Sequence, residues 1–314
     1  MEQKNYPDVS PIFAAKEERR RQLAALSWEE KVAIIEKMNQ AMPRKKWRSA
    51  APAKMTKTAV DAAIVMPMHD PTGFLFPHLV AITPQLKELF RRAVVSITPV
   101  TRAQQLQWVE QLAADDFFRV CEYKTTQPVG DAFVQLYAHA AATCPPDTLL
   151  HLCFIDRVAY ALQSAHRAQF ITDIQGLQPD DAPLIFHRSA AAWQTHPRNY
   201  QAIEGMLTKL SESYFQKALD FTWCHLVVPA SQLHAILPQV QKHDLSVCAE
   251  LVLLLRECIQ TKEVDWLAWE DPFILGRDAA QLKLEREQSV AETQKRLAYV
   301  LPMLQVVHEV MGQL

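Results

Sequence analysis

Two carboxylates stand just beyond apolar runs, and that placement marks the residues best suited to chemistry. The run Ala62-Ala63-Ile64-Val65-Met66 stops at Pro67, and Asp70 follows three residues later. The run from Leu149 to Ile155 stops at Asp156, with Arg157 beside it. Strands buried on both faces read as unbroken hydrophobic runs and occur mostly in parallel sheets. Ligands of such sheets bind beyond the carboxyl ends of the strands. Asp70 and Asp156 are therefore expected on one rim. A carboxylate there can hold a divalent ion, and the ion can bridge the phosphates of a nucleoside diphosphate. Arg157 adds a fixed positive charge for the same group. A plainer reading stays open, in which Asp156 pairs with Arg157 at the surface or caps the next helix.

The elements that must position these side chains follow a strand–helix rhythm from residue 60. Strands are expected at 62–68, 93–97, 117–121 and 149–155, with helical patterns near 78–90, 102–113 and 130–142. In the last of these, Phe133, Leu136, Tyr137, Ala140 and Ala141 share one face. Pro145-Pro146 stops that helix before the fourth strand. This alternation predicts an α/β fold with a mostly parallel, doubly wound sheet flanked by helices.

Beyond residue 160 the pattern is less regular. A strand is expected at 184–186, then a helix at 199–217 with Tyr200, Ile203, Leu207, Leu210 and Tyr214 inward. A strand at 221–228, helices at 231–241 and 245–260, and a short strand at 264–267 follow. The acidic turn Trp269-Glu270-Asp271-Pro272 leads to a long helical pattern, 279–311, interrupted by Pro302.

Four segments result. Residues 1–43 read as a helical pair, in which Ser27 and Glu30 form a capping box before Trp28, Val32, Ile35, Met38 and Met42 at helical spacing. Residues 44–59 read as a linker, its basic run Arg44-Lys45-Lys46-Trp47-Arg48 included. Residues 60–278 form the main domain, and 279–314 a C-terminal helix packed on its core.

Composition narrows the function classes. Across 314 residues the chain is 49% hydrophobic, 22% charged and carries a net charge of -2. That describes an ordered globular protein and gives no electrostatic case for nucleic acid. No apolar stretch approaches the roughly 20 residues that span a bilayer, and the charged N-terminus lacks the apolar core of a secretory signal. The six cysteines form no CxxC pair. They read as buried thiols of a cytoplasmic protein rather than as disulfides or a zinc site. Histidines 139, 225, 234 and 243 lack a partner spacing that suggests a metal and read as structural or exposed. With only six glycines, the chain contains no GxGxxG and no GxxxxGK[ST] loop; GxSxG and HExxH are also absent.

The order strand, helix, strand, helix, strand, helix, strand, with an acid some way beyond, resembles the GT-A glycosyltransferase fold. Ile64-Val65-Met66-Pro67-Met68-His69-Asp70 looks like that family's first strand, an apolar run followed by Pro-x-x-Asn/Asp. Cys153-Phe154-Ile155-Asp156-Arg157 is placed like its metal-binding DxD motif, but Phe154 stands where the first acid would be. Two further stretches, His187-Arg188-Ser189 with Thr195-His196-Pro197-Arg198, and Trp269-Glu270-Asp271, look like those of bacterial GT-A-like proteins. The resemblance covers residues 60–275.

It implies a Rossmann-like GT-A core that binds a nucleotide-diphosphate sugar and transfers the sugar to an acceptor. Asp70 would then lie near the base or ribose. Arg157, Arg188, His196 and Arg198 would attend the diphosphate, and Mn2+ or Mg2+ would sit at Asp156. Glycosyl transfer needs a base for the acceptor hydroxyl, and Glu270 or Asp271 would supply it. A single carboxylate holds a hard cation less firmly than two, so Phe154 bears directly on metal dependence. The competing expectation is a degenerate GT-A-like fold that regulates or binds a protein partner through residues 1–43. Turn chemistry for Glu270-Asp271-Pro272, a helix entry at His196-Pro197 and a surface role for Arg188 also stay open.

Overall fold

The computed structural model describes residues 61–222 and 225–312. The expected helical pair at 1–43 and linker at 44–59 lie outside the described residues, as does Cys224.

Seven strands form one sheet in the order β3-β2-β1-β4-β6-β5-β7. The chain enters it through β1 (Ala62–Met66), α1 (Phe76–Leu89) and β2 (Arg92–Ile97). Helices α2 (Pro99–Gln104) and α3 (Leu106–Ala113) lead to β3 (Phe118–Glu122), and α4 (Val129–Thr143) to β4 (Leu149–Leu152). Next come α5 (Ile155–Gln163), α6 (Arg167–Gln175), β5 (Leu184–Arg188), α7 (Ala190–Thr195) and α8 (Arg198–Phe215). The chain continues through β6 (Leu226–Pro229), α9 (Ala230–Ile236), α10 (Val247–Leu254) and β7 (Gln260–Val264). It ends in α11 (Asp271–Ile274), α12 (Ala279–Gln288) and α13 (Val290–Met311).

Strands β1 to β4 are mutually parallel, as are β5 and β7, while β6 runs antiparallel to both of its neighbours. The sheet is thus mostly parallel, as its apolar strands predict. Its two faces divide the core by side-chain alternation. Ala63 and Val65 of β1 point into one layer with Phe133, Leu136, Val252 and Val306, whereas Ala62, Ile64 and Met66 enter the other with Leu79, Phe170 and Trp266. All five β1 residues are buried, which explains the unbroken apolar run.

Several expected boundaries shift for identifiable reasons. The fourth strand stops at Leu152, because α5 begins at Ile155 and takes Asp156 into its first turn. The region 102–113 is two helices, the first capped by Thr98, whose side chain accepts from the Thr101 amide. The last strand covers 260–264 rather than 264–267. The long C-terminal pattern divides at Ser289, not at Pro302: Ser289 accepts from the Glu292 amide in a cap, and α13 continues through Pro302. Helix α8 buries Tyr200, Glu204, Leu207, Thr208 and Ser211, leaving Tyr214 exposed. Its inward face is therefore partly polar and rotated from the apolar stripe. No described helix is long and apolar enough to cross a membrane.

Candidate functional site

The carboxyl ends of β1 to β4 open onto a cavity of about 430 Å³. β1 is flanked by β2 on one side and β4 on the other, so the connections out of the sheet diverge here. Such a switch point leaves a crevice between strand ends. Met68 and His69 approach it after β1, Ser96 from the last residues of β2 and Thr98 just after it, Tyr123 after β3, and Phe154 and Asp156 after β4. The polar groups are held in place: Ser96 Oγ accepts from the Met68 amide at 3.3 Å, and His69 Nδ1 lies 3.0 Å from Thr98 Oγ1. Tyr123 donates to the Ala132 carbonyl, and burial pushes its phenol up to about 12. Apolar walls from Val129, Phe133 and Phe154 surround these few polar atoms, the lining expected of a small-molecule site.

Phe154 and Asp156 also line a second cavity of about 210 Å³, together with Arg157, Glu204, Thr222 and Arg296. The two cavities therefore meet at the start of α5. Asp156 is half-buried, and its Oδ1 accepts from the Arg157 amide at 2.9 Å. The carboxylate lies in the first turn of α5, where negative charge is favoured, but it does not cap the helix, whose cap residue is Phe154, and Arg157 pairs with Glu270 instead. Asp156 still faces both cavities.

Behind the second cavity lies a buried charge network. Arg188, at the end of β5, donates to both oxygens of Asp220 at 2.6 and 2.7 Å, to Glu204 at 2.8 Å and to Thr222 at 2.6 Å. Its guanidinium lies 3.4 Å above the centre of the Trp193 ring. Arg296 of α13 donates to the other oxygen of Glu204 at 3.0 Å and stacks 3.8 Å over Tyr200. Burial alone would raise the Glu204 carboxyl, but Arg188 and Arg296 outweigh it and hold it below its ordinary value. Arg157 makes a further buried ion pair with Glu270. Burial pushes the Arg157 guanidinium down to about 9 while Asp156 and Asp271 pull it up, so it stays charged at neutral pH. Three arginines thus meet Glu204, Asp220 and Glu270, and the cluster is charge-balanced.

The residues singled out from sequence separate into two groups. Asp156 and Arg157 line cavities, and Arg188 and Glu270 join the network behind them. Asp70 lines neither cavity: it is 4% exposed, and its carboxylate accepts from the Phe74 and Leu75 amides at 2.9 and 2.6 Å and from Thr72 Oγ1 at 3.0 Å. That carboxylate fixes the entry to α1. His196 is fully buried, with Nε2 at 3.2 Å from the Leu267 carbonyl. Arg198 is exposed at the start of α8. Asp271 is half-buried, 3.7 Å from Arg286. None of these three lines either cavity.

A different group, missed in the sequence, has metal-holding geometry. His151, Cys153 and His225 are buried, and their ligand atoms all lie within 4.8 Å of one another. Such a group could hold a metal ion, whereas no comparable cluster forms around Asp156 among the described residues. His225 read alone has no partner spacing. The available signal was His-x-Cys on a strand, since residues two apart share a face. Against known protein families and curated proteins, the sequence matches no family model and is similar to no curated protein.

Proposed function

We propose that this protein is glycosyltransferase-like and binds a nucleoside-diphosphate sugar at the carboxyl rim of β1 to β4. The observation that carries this reading is the mainly apolar cavity at the switch point, joined at Asp156 to a second cavity bearing Arg157 and Arg296. The larger cavity suits a base and ribose, which need apolar walls and a few fixed polar atoms. The smaller one presents Arg157 and Arg296 beside Asp156 and Glu204, so it offers a diphosphate hydrogen-bond donors rather than net positive charge. Among the described residues no group of three or more His, Cys, Asp or Glu side chains gathers at Asp156, so binding is expected to proceed without Mn2+ or Mg2+.

A second reading, a binder that has lost transferase activity, is favoured by one observation. Glu270, a candidate base, is 2% exposed and already paired with Arg157, and a base must reach the proton it removes. A thermal-shift screen with UDP, GDP, CDP and their sugars, with and without Mn2+ or Mg2+, tests binding. One nucleotide should raise Tm without metal, and Val129→Trp, which fills the larger cavity from its exposed rim, should abolish that rise while leaving the basal Tm nearly unchanged. If no nucleotide shifts the wild type, the reading fails. A nucleotide that shifts Tm but whose sugar is never hydrolysed or transferred selects the second reading.

A further inference from the structure

His151 and His225 are each 0% exposed, and none of their four ring nitrogens has a hydrogen-bond partner. Buried polar groups are normally paired, and each orphan calls for an explanation. Two orphaned imidazoles lie side by side, with ring centres 5.6 Å apart. The rest of the enclosure is aromatic: Phe186 lies 5.8 Å from His151, and Trp266 5.3 Å from His225.

The fold brings a thiol to the same point. His151 and Cys153 lie two residues apart along β4 and its continuation, so their side chains share a face. β6 pairs antiparallel with β4, with His151 opposite Val227 and Leu152 opposite Leu226. One further step of that register sets His225 opposite Cys153. The thiol and both rings therefore enter one layer of the core.

We propose that His151, Cys153 and His225 form a buried binding site for a soft monovalent metal ion, copper(I). Imidazole and thiolate are the donors that copper(I) takes, and three ligands satisfy it. Charge decides against zinc. A thiolate with Cu(I) is neutral, whereas Zn(II) would leave a net positive charge in an aromatic core. Ligand atoms around such an ion sit roughly 3.5–4 Å apart, so side-chain rotations of under about 1 Å close the site from its present spacing. Binding releases one proton, from Cys153 Sγ, as the metal–sulfur bond forms. The inference is independent of the nucleotide reading.

The test uses the full chain with the exposed thiol removed, Cys258→Ser, as reference. Stripped of metal and kept under anaerobic reduction, it is titrated with Cu(I) against a competing chelator, and in parallel with Zn(II). The reference should hold about one equivalent of Cu(I) and gain Tm on binding. Cys153→Ser, close in size, should fold and weaken Cu(I) by more than about 100-fold. His225→Phe should lose both the equivalent and the Tm gain. Unchanged Cu(I) affinity in Cys153→Ser would overturn the site, as would no retention by the reference. Tighter binding of Zn(II) than of Cu(I) would overturn the choice of ion.

Discussion

Arg188 makes four hydrogen bonds and a ring stack without meeting solvent. Sequence reading offered it to a diphosphate, because a cation after an apolar strand looks alike whether a ligand or a buried acid awaits it. Its acids arrive from Glu204 and Asp220, 16 and 32 residues on. Arg188→Met should therefore destabilise the fold by about 3–5 kcal/mol in urea unfolding, since two carboxylates would be left without their main cation. A loss under about 1 kcal/mol would show that Arg296 suffices. His196 gives the pH counterpart. Burial first, and then the nearby Arg188 charge, hold its imidazole well below the ordinary 6.5. The unfolded chain alone takes up that proton below 6.5, so the stability from the neutral ring is complete above that pH and erodes as pH falls. His196→Gln should remove about one proton of uptake on unfolding between pH 6 and 4.5, seen as a flatter decline of stability than in the wild type. Parallel pH profiles for the two proteins would contradict this.

At the level of elements, the apolar runs predicted β1, β2 and β4 well because those strands are buried on both faces and need no partner information to be seen, whereas β3, at the sheet edge, buries only Phe118 and Cys121 fully. Helix α4 was legible for a related reason: Phe133, Leu136, Tyr137, Ala140 and Ala141 are all buried. Helix α8 was legible as a helix, but its inward face was not, because that face carries Glu204, Thr208 and Ser211. Ser211 Oγ donates to the Thr208 and Lys217 carbonyls at 2.7 and 2.9 Å and accepts from the Leu219 amide at 2.8 Å. Polar residues satisfied from elsewhere in the chain imitate a solvent face. Asp70 shows the same ambiguity at a helix entry, where an acid beyond a strand can serve a ligand or a backbone. Its three accepted hydrogen bonds identify the second use. Asp70→Ala is expected to cost about 0.5–2 kcal/mol of stability and to leave nucleotide affinity unaltered. A variant of native stability, or one with weakened nucleotide binding, would return Asp70 to the candidate site.

At the scale of the whole sheet, the alternation of strands and helices was readable, but strand order was not. Order depends on pairings such as β4 with β6, set by contacts between segments some 75 residues apart, and no local pattern records them. The His–Cys–His group was invisible for the same reason, since it exists only once that pairing is made. The reversed strand also governs how the chain can be synthesised. β5 pairs with β6 and β7 alone, and β6 completes β4. When β5 leaves the ribosome it therefore has no bonded neighbour, and β4 keeps an open edge until residue 226 follows. At cellular elongation rates that interval is roughly 4–15 s, long compared with collapse of a chain of this size. An open, apolar edge invites pairing with another nascent chain. Chains arrested before residue 226 should accordingly be captured by chaperones or aggregate, whereas chains arrested in a C-terminal extension beyond residue 314 should resist protease while still tethered. The middle of the sheet stays open until β6 has been made, and translation speed across residues 153–225 becomes a determinant of yield.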